Sequence, residues 1–349
     1  MLQKSSHIIV PLDIYKENGE IGYLMQFVPG VKLLEILENP TFSLREGIQL
    51  SLDICWLAEI LHQQNIAHGD LNHKNIMVNQ NENGIEVYCI DLDNYFTPGA
   101  PPSRMAGHLY SMPPEFNNAV QNKLKITPSL LSDSFSLSIM IYENILLTSP
   151  AAGSDGSPEE IALRFSQPWW SDPLNIDPHS NPHGNYPVAV LNNDLCGLFR
   201  RGINPNIDNR PTVFEWIAAL EKALTRIYIC PKCGYPTIID QSKTCCPLNK
   251  HPFERLGLFI KKNQKTIPFN QTAMLIGRDQ IKGSNKISKY HISCKTIGPH
   301  VWIESIGKNS TFRWSGNNWI KLQNKKQFLL KKNDKLKLAD TKVKVIRIN

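Results

Sequence analysis

The sequence predicts an α+β multidomain chain: a mainly helical first part, a small Cys-rich knot and a C-terminal all-β sandwich. Three observations carry this prediction. Apolar residues recur at helical spacing in long segments between residues 31 and 229. Four of the eight cysteines, Cys230, Cys233, Cys245 and Cys246, cluster on a short stretch. Beyond residue 255 the pattern changes to short alternating strands separated by Gly and Asn turns.

A chain of 349 residues with 41% hydrophobic residues is long and apolar enough to bury more than one core. No window reaches the roughly 18 uncharged apolar residues that span a bilayer. The N-terminal stretch also lacks a small-residue cleavage site, so the reading is cytoplasmic, with no membrane partner. Charge divides the chain unevenly. Residues 255–349 hold 21 Lys/Arg against 4 Asp/Glu, whereas residues 1–254 hold 17 against 27. Such a split suggests separate modules, the basic one attracting phosphate groups, acidic proteins or nucleic acid, or else carrying a solvated Lys-rich surface.

In chain order, HIIVPLDIY and GYLMQFV read as two strands joined by the polar turn KENGE. A long buried helix follows, with apolar periodicity from Ile48 to Leu61. Residues 130–148 read as a second apolar helix, opened by a cap containing Asp133. Ser149 to Tyr186 reads as a Pro/Gly/Ser/Asn-rich surface insertion. VAVLNNDLCGLFRRGI and RPTVFEWIAALEKALTRI are helical by period, the second with Pro211 near its first turn, and the helical part is expected to end near Ile229.

Two polar loops carry acidic residues. The first is His68-Gly69-Asp70-Leu71-Asn72-His73-Lys74-Asn75; the second is Ile90-Asp91-Leu92-Asp93. Further on come Gly107-His108-Leu109-Tyr110-Ser111-Met112-Pro113-Pro114-Glu115, then Asp133 at a helix start and Arg210 before the last helix. In order and spacing these segments resemble the catalytic loop, the metal-binding D-F-G and the A-P-E segment of a eukaryotic-type Ser/Thr protein kinase. The resemblance implies ATP with Mg2+ or Mn2+ as cofactor and phosphoryl transfer to Ser or Thr. It assigns Asp70 to the attacking hydroxyl, Asn75 and Asp91 to the metal, Asp133 to the backbone of the catalytic loop, and Glu115 with Arg210 to a structural ion pair.

The departures from the family pattern are specific. Asn72 stands where the family usually has Lys, Asp93 replaces the Gly of D-F-G, and Gly69 replaces the Arg that reads a phosphorylated activation loop. Activity is therefore expected not to depend on that switch. The D-x-D and G-H forms resemble a divergent bacterial branch found beside phosphatase and von Willebrand-type partners. GYLMQFVPG resembles the last strand and hinge of the upper lobe, and residues 1–30 contain no Gly-rich loop and no clamped strand Lys. A start placed too far downstream, a separate N-lobe chain, or a degenerate pseudokinase scaffold would each account for this.

Cys230-Pro-Lys-Cys233-Gly reads as a metal knuckle, with two of Cys245, Cys246 and His251 expected to complete a structural Zn2+ site in a zinc-ribbon-like arrangement; a reduced, metal-free knuckle or a redox pair is the alternative. Further along, Ile276-Gly277-Arg278-Asp279, Ser288-Lys289-Tyr290-His291 and Gly307-Lys308-Asn309-Ser310-Thr311-Phe312 resemble the phosphothreonine-reading loops of a forkhead-associated (FHA) domain. That resemblance implies that Arg278 and Ser288 bind phosphate, His291 braces the loop and Asn309 holds the peptide backbone of a phosphothreonine-containing partner protein. The expected domains are a kinase-like part at 1–229 (strands and hinge 1–30, C-lobe 31–229), the zinc knot at 230–254 and the FHA-like sandwich at 255–349. Nucleic acid is the least favoured partner: Trp302, Trp314 and Trp319 could stack on bases, but Trp in a sandwich core is commoner.

Overall fold

The computed structural model describes residues 6–39, 42–82, 84–92, 96–97, 111–151, 157–166, 186–282 and 284–348. Asp93 and Gly107 to Tyr110 lie outside the described residues. The chain forms two compact units, Met1–Ile227 and Tyr228–Asn349.

The first unit begins with an antiparallel hairpin, β1 (Pro11–Glu17) and β2 (Glu20–Met25), turned at Asn18 and Gly19. Next come β3 (Val31–Lys32), the short helix α1 (Leu33–Leu37) and the long helix α2 (Leu44–Gln63). Helix α2 starts where the sequence S-L-R-E supplies a capping box: Glu46 N donates to Ser43 Oγ, and Ser43 N donates back to the Glu46 carboxylate. The strands β4 (Ile76–Asn81) and β5 (Gly84–Cys89) form a hairpin that joins β3 in one sheet. Its register pairs Ile76 with Cys89. The loop ending at Asn75 and the loop beginning at Ile90 therefore leave the same end of the hairpin.

The remaining helices are α3 (Pro114–Gln121), α4 (Leu130–Leu146), α5 (Pro158–Ser166), α6 (Asn193–Gly202) and α7 (Val213–Leu224). Helix α4 is buried almost all round, with Ser134, Ser138 and Asn144 among its buried residues held by hydrogen bonds; α2 packs against both α4 and α7. An aromatic run of Tyr142, Phe199 and Trp216, with ring centroids 5.2 and 5.0 Å apart, joins α4, α6 and α7.

Three expectations change here. The cap of α4 is Ser129, which accepts from Ser132 N, and Asp133 lies inside the helix, its carboxylate directed to other work. The stretch from Ser149 to Tyr186 is not bare surface. Within it α5 buries Ile161 and Phe165, one helical turn apart, and Phe165 meets Phe135 edge-on at 5.4 Å. The last helix stops at Leu224, capped by Thr225, and Ile227–Ile229 is a strand because the β-branched I-Y-I pairs with P-T-I downstream.

The second unit opens with that ribbon, β6 (Ile227–Ile229) and β7 (Pro236–Ile238), which carries the Cys-rich knot. The strands that follow are β8 (Arg255–Ile260), β9 (Lys265–Pro268) and β10 (Ala273–Ile276), then the single turn α8 (Arg278–Ile281). After it come β11 (Ile292–Ile297), β12 (His300–Ser305), β13 (Thr311–Trp314), β14 (Trp319–Lys321), β15 (Gln327–Leu330), β16 (Lys335–Leu338) and β17 (Thr341–Ile348). They form a four-stranded sheet in the order β10-β11-β12-β15 and a six-stranded sheet in the order β14-β13-β16-β17-β8-β9. Alternate residues fill the core between them, among them Leu258, Ile260, Ile292, Ile303, Leu336 and Val345. None of Trp302, Trp314 and Trp319 belongs to that core; all three are half-buried.

Candidate functional site

In the first unit the two acidic loops meet at the end of the β4–β5 hairpin. Ile90 N donates to Asn75 O at 2.9 Å, which holds the second loop against the first. The carboxylate of Asp70 is fixed by two amides: Asn72 Nδ2 donates to Oδ1 at 2.8 Å and Asn75 Nδ2 to Oδ2 at 3.2 Å. Asn75 Nδ2 also reaches Asp70 O at 2.8 Å. Asn72 is thus a neutral hydrogen-bond donor to Asp70, a partner that its residue type alone did not disclose. Asp91 is exposed and adopts φ 58°, in the left-handed region that Asp tolerates better than most residues. Strain of this kind concentrates at ligand sites.

The first loop is organised from within the core. The buried Asp133 carboxylate on α4 accepts from His68 N at 2.7 Å and Gly69 N at 2.9 Å. His62 Nε2, from the last turn of α2, lies 3.1 Å from the same carboxylate. His62 is a site residue that sequence reading missed, because a polar residue at a helix end reads as solvent-facing. Glu115 and Arg210 form a bidentate pair with both distances 2.7 Å; the Arg210 side chain is fully buried, donates to Leu131 O and stacks on Phe135 at 4.9 Å. Beside the loop, a cleft of about 330 Å³ is lined by Leu34, Leu37, Asn72, His73 and Glu143, among others. Burial pushes the Glu143 carboxyl up to about 8, against a hydrogen bond from Ser149 that lowers it.

In the second unit, donor atoms of Cys230, Cys233, Cys246 and His251 all lie within 4.8 Å of one another. Cys230 Sγ is 3.5 Å from His251 Nδ1, Cys246 Sγ is 3.9 Å from the same nitrogen, and Cys233 Sγ is 3.9 Å from Cys246 Sγ. Tetrahedral zinc bonds of about 2.3 Å to sulfur and 2.0–2.1 Å to nitrogen would separate the donors by about 3.6–3.8 Å, so the set fits that ion. Hydrogen bonding from the Tyr235 backbone, foremost, pulls the Cys233 thiol down to about 6, so it is a ready thiolate. Cys245 stands outside the cluster: its backbone pairs with Pro252, and adjacent residues in extended backbone face opposite ways. The second half of the knot is therefore Cys246 and His251, closed by Cys246 N donating to His251 O.

Three loops of the sandwich converge at Ser288. Its Oγ accepts from Lys308 N at 2.9 Å, and its N donates to Nδ1 of the buried His291 at 3.3 Å. Burial pulls the His291 pKa down, in keeping with a neutral ring that accepts at Nδ1. Asn309 Nδ2 donates to Lys286 O at 2.5 Å. The exposed Arg278 braces the middle loop through Nε to Ile287 O and Nη2 to Asn285 O. The loops approach too closely for side chains at two points. A Cβ on Gly277 would stand 1.9 Å from Lys289 O, and one on Gly307 would stand 2.7 Å from His291 Nδ1 and 2.9 Å from Ser288 Oγ.

Residues 1–220 match the protein kinase domain family. Serine/threonine-protein kinase PknB of Mycolicibacterium smegmatis is 25% identical over 248 residues, covering 69% of this chain and 36% of that protein. NUAK family SNF1-like kinase 2 of Rattus norvegicus is 26% identical over 209 residues, covering 59% and 29%. Serine/threonine-protein kinase DCLK3 of Mus musculus is 32% identical over 85 residues, covering 24% and 11%. The chain thus spans about a third or less of the length of these relatives.

Proposed function

Because the chain belongs to the protein kinase domain family, we propose that its first unit is a Ser/Thr-kinase-type C-lobe that binds ATP with Mg2+ or Mn2+ and transfers the terminal phosphoryl group to a Ser or Thr hydroxyl. The observation that carries this reading is the joint fixing of Asp70, Asn75 and the Asp91 loop at one end of the β4–β5 hairpin. Asp70 takes the proton of the attacking hydroxyl as the oxygen–phosphorus bond forms and ADP leaves. Asn75 spends its amide nitrogen on Asp70, which leaves its amide oxygen, with the Asp91 carboxylate, as hard oxygen donors suited to magnesium. Bound metal supplies charge neutralisation on the phosphates. Asn72 orients Asp70 in place of a lysine, so the site would lose one positive charge near the transferring group.

The second unit, in this proposal, is a phosphothreonine reader stabilised by a structural zinc knot. Arg278, Ser288 and Asn309 stand on loops tied together by Arg278 Nη2 to Asn285 O, Lys308 N to Ser288 Oγ and Asn309 Nδ2 to Lys286 O, which supports a phosphate site. Its partner is a phosphothreonine-containing protein; a separate N-lobe chain, or a phosphatase or von Willebrand-type protein, is the partner proposed for the first unit. No helix among the described residues is long and apolar enough to cross a membrane, and reduced thiols suit the cytoplasm.

The test is calorimetric titration of ATP with and without magnesium. The expected outcome is magnesium-dependent binding that is lost in Asp91→Ala and weakened in Asn75→Ala, while Asp70→Asn keeps binding and loses phosphoryl transfer. Binding that survives Asp91→Ala overturns the metal assignment. An absence of magnesium-dependent binding by the unaltered chain favours the pseudokinase scaffold.

A further inference from the structure

The outer face of the six-stranded sheet is built unlike a plain solvated surface. Its six strands contain no Asp or Glu at all. The pairing register sets Lys335 directly across from Lys344 and Lys337 directly across from Lys342. Like charges opposite one another on a sheet destabilise it, so this arrangement works against the fold. The same register continues the two rows into aromatic residues. Phe312 pairs with Lys337 on one side and Lys321 on the other; Trp314 pairs with Trp319; and Lys344 pairs with Phe259.

The rings are accessible rather than buried. Trp314 and Trp319 are half-buried, with centroids 5.3 Å apart and planes tilted by 59°. Lys337 stands 4.4 Å over Phe312 and 5.4 Å over Trp319, and Lys342 stands 5.9 Å over Trp319. Between them lies a cleft of about 390 Å³ whose lining includes Phe259, Trp314, Trp319, Lys261, Lys335 and Lys344. That size suits a small planar group.

We propose that this face is a binding surface for single-stranded nucleic acid, with Trp314 and Trp319 as stacking platforms and the Lys335, Lys337, Lys342 and Lys344 rows tracking the phosphates. Charge complementarity commits the face to a polyanion, which would relieve the lysine–lysine repulsion. The tryptophans commit it to an unpaired strand, because a duplex keeps its bases stacked inside and out of reach of a ring on a sheet face. This site is distinct from the loops around Ser288, and its reading does not rest on the kinase proposal.

The experiment is fluorescence anisotropy of a labelled oligothymidylate about twelve nucleotides long, within the range of such sites, titrated with the full chain over a salt series. Trp319→Leu is expected to weaken binding by roughly 5- to 150-fold, the range of one lost stacking contact, with the salt slope unchanged. The double change Lys335→Gln with Lys344→Gln is expected to lower the log–log salt slope by about 1.4, two phosphate contacts on a single strand. It should also raise the unfolding temperature, since one repelling pair is removed. That opposite movement of affinity and stability separates a ligand site from a structural defect. Three results would overturn the proposal: no oligonucleotide binding at low salt, binding unchanged in both variants, or equal binding to anionic phosphatidylserine vesicles with no effect of Trp319→Leu, which marks a lipid or general polyanion face.

Discussion

The Asp133 clamp in the first unit and the Cys-rich knot in the second both fold a polar loop around a buried centre, and they do it by opposite means. The clamp is complete with protein atoms: one carboxylate, two backbone donors and a histidine satisfy one another at 2.7 to 3.1 Å. The knot gathers three sulfurs and one imidazole nitrogen, groups that make only weak hydrogen bonds among themselves. A loop of the first kind holds its shape with no ligand bound. A loop of the second kind would draw its stability from an ion held among its four donors.

The comparison can be broken most sharply at the knot. Zinc is expected to co-purify at one ion per chain, and Cys246→Ser should abolish it, while Cys245→Ser leaves metal content and stability nearly unchanged. Binding free energies on the order of 10 kcal/mol in zinc peptides make this the largest effect. Elemental analysis with thermal unfolding checks it, and equal zinc loss in the two variants would reverse the assignment of the fourth ligand.

Next in size is the clamp. Asp133→Ala leaves the buried His68 N and the half-buried Gly69 N unpaired and should cost about 3–5 kcal/mol by denaturant titration. Zinc content should not change, since the clamp belongs to the first unit and the knot to the second. A loss below about 1 kcal/mol would mean that water replaces the carboxylate and the loop organises itself otherwise.

The third test concerns the cleft beside the first loop. Burial raises Glu143 to about 8 from an unfolded value near 4.5. Between those two pH values the folded state holds a proton that the unfolded state has lost, so stability should fall as pH rises through the window. His73 Nδ1 lies 3.2 Å from the carboxyl. Glu143→Gln keeps the shape without titrating, so it should flatten stability between pH 5 and 8. An unchanged slope would assign the pH dependence to other groups.

Much of the secondary structure was legible because its causes are local. The 3.6-residue period of α2 lies within one helix; the alternation of T-K-V-K-V-I-R-I lies within one strand. The order of the acidic loops likewise sits in the sequence, and the family match at residues 1–220 agrees with it. Family resemblance supplied Asp133 and the Glu115–Arg210 pair, but other partners distant along the chain were not legible. His62 and Asp133 are 71 residues apart, and Phe135 meets Phe165 across a stretch that composition marked as loop.

By itself, then, the sequence determined which donor types stand at which positions and which segments repeat at helix or strand period, since donor type and hydrophobic spacing are properties of the chain. Only the tertiary structure decided between neighbours. Cys245 and Cys246 are alike in type, and the turn that returns His251 chooses the second. The lysines of β16 and β17 alternate with core residues in either reading of the pattern, but only strand pairing sets lysine against lysine and brings Trp314 and Trp319 beside them. The physical reason is that hydrogen-bond register and packing fix which faces meet, and neither is encoded within a single element.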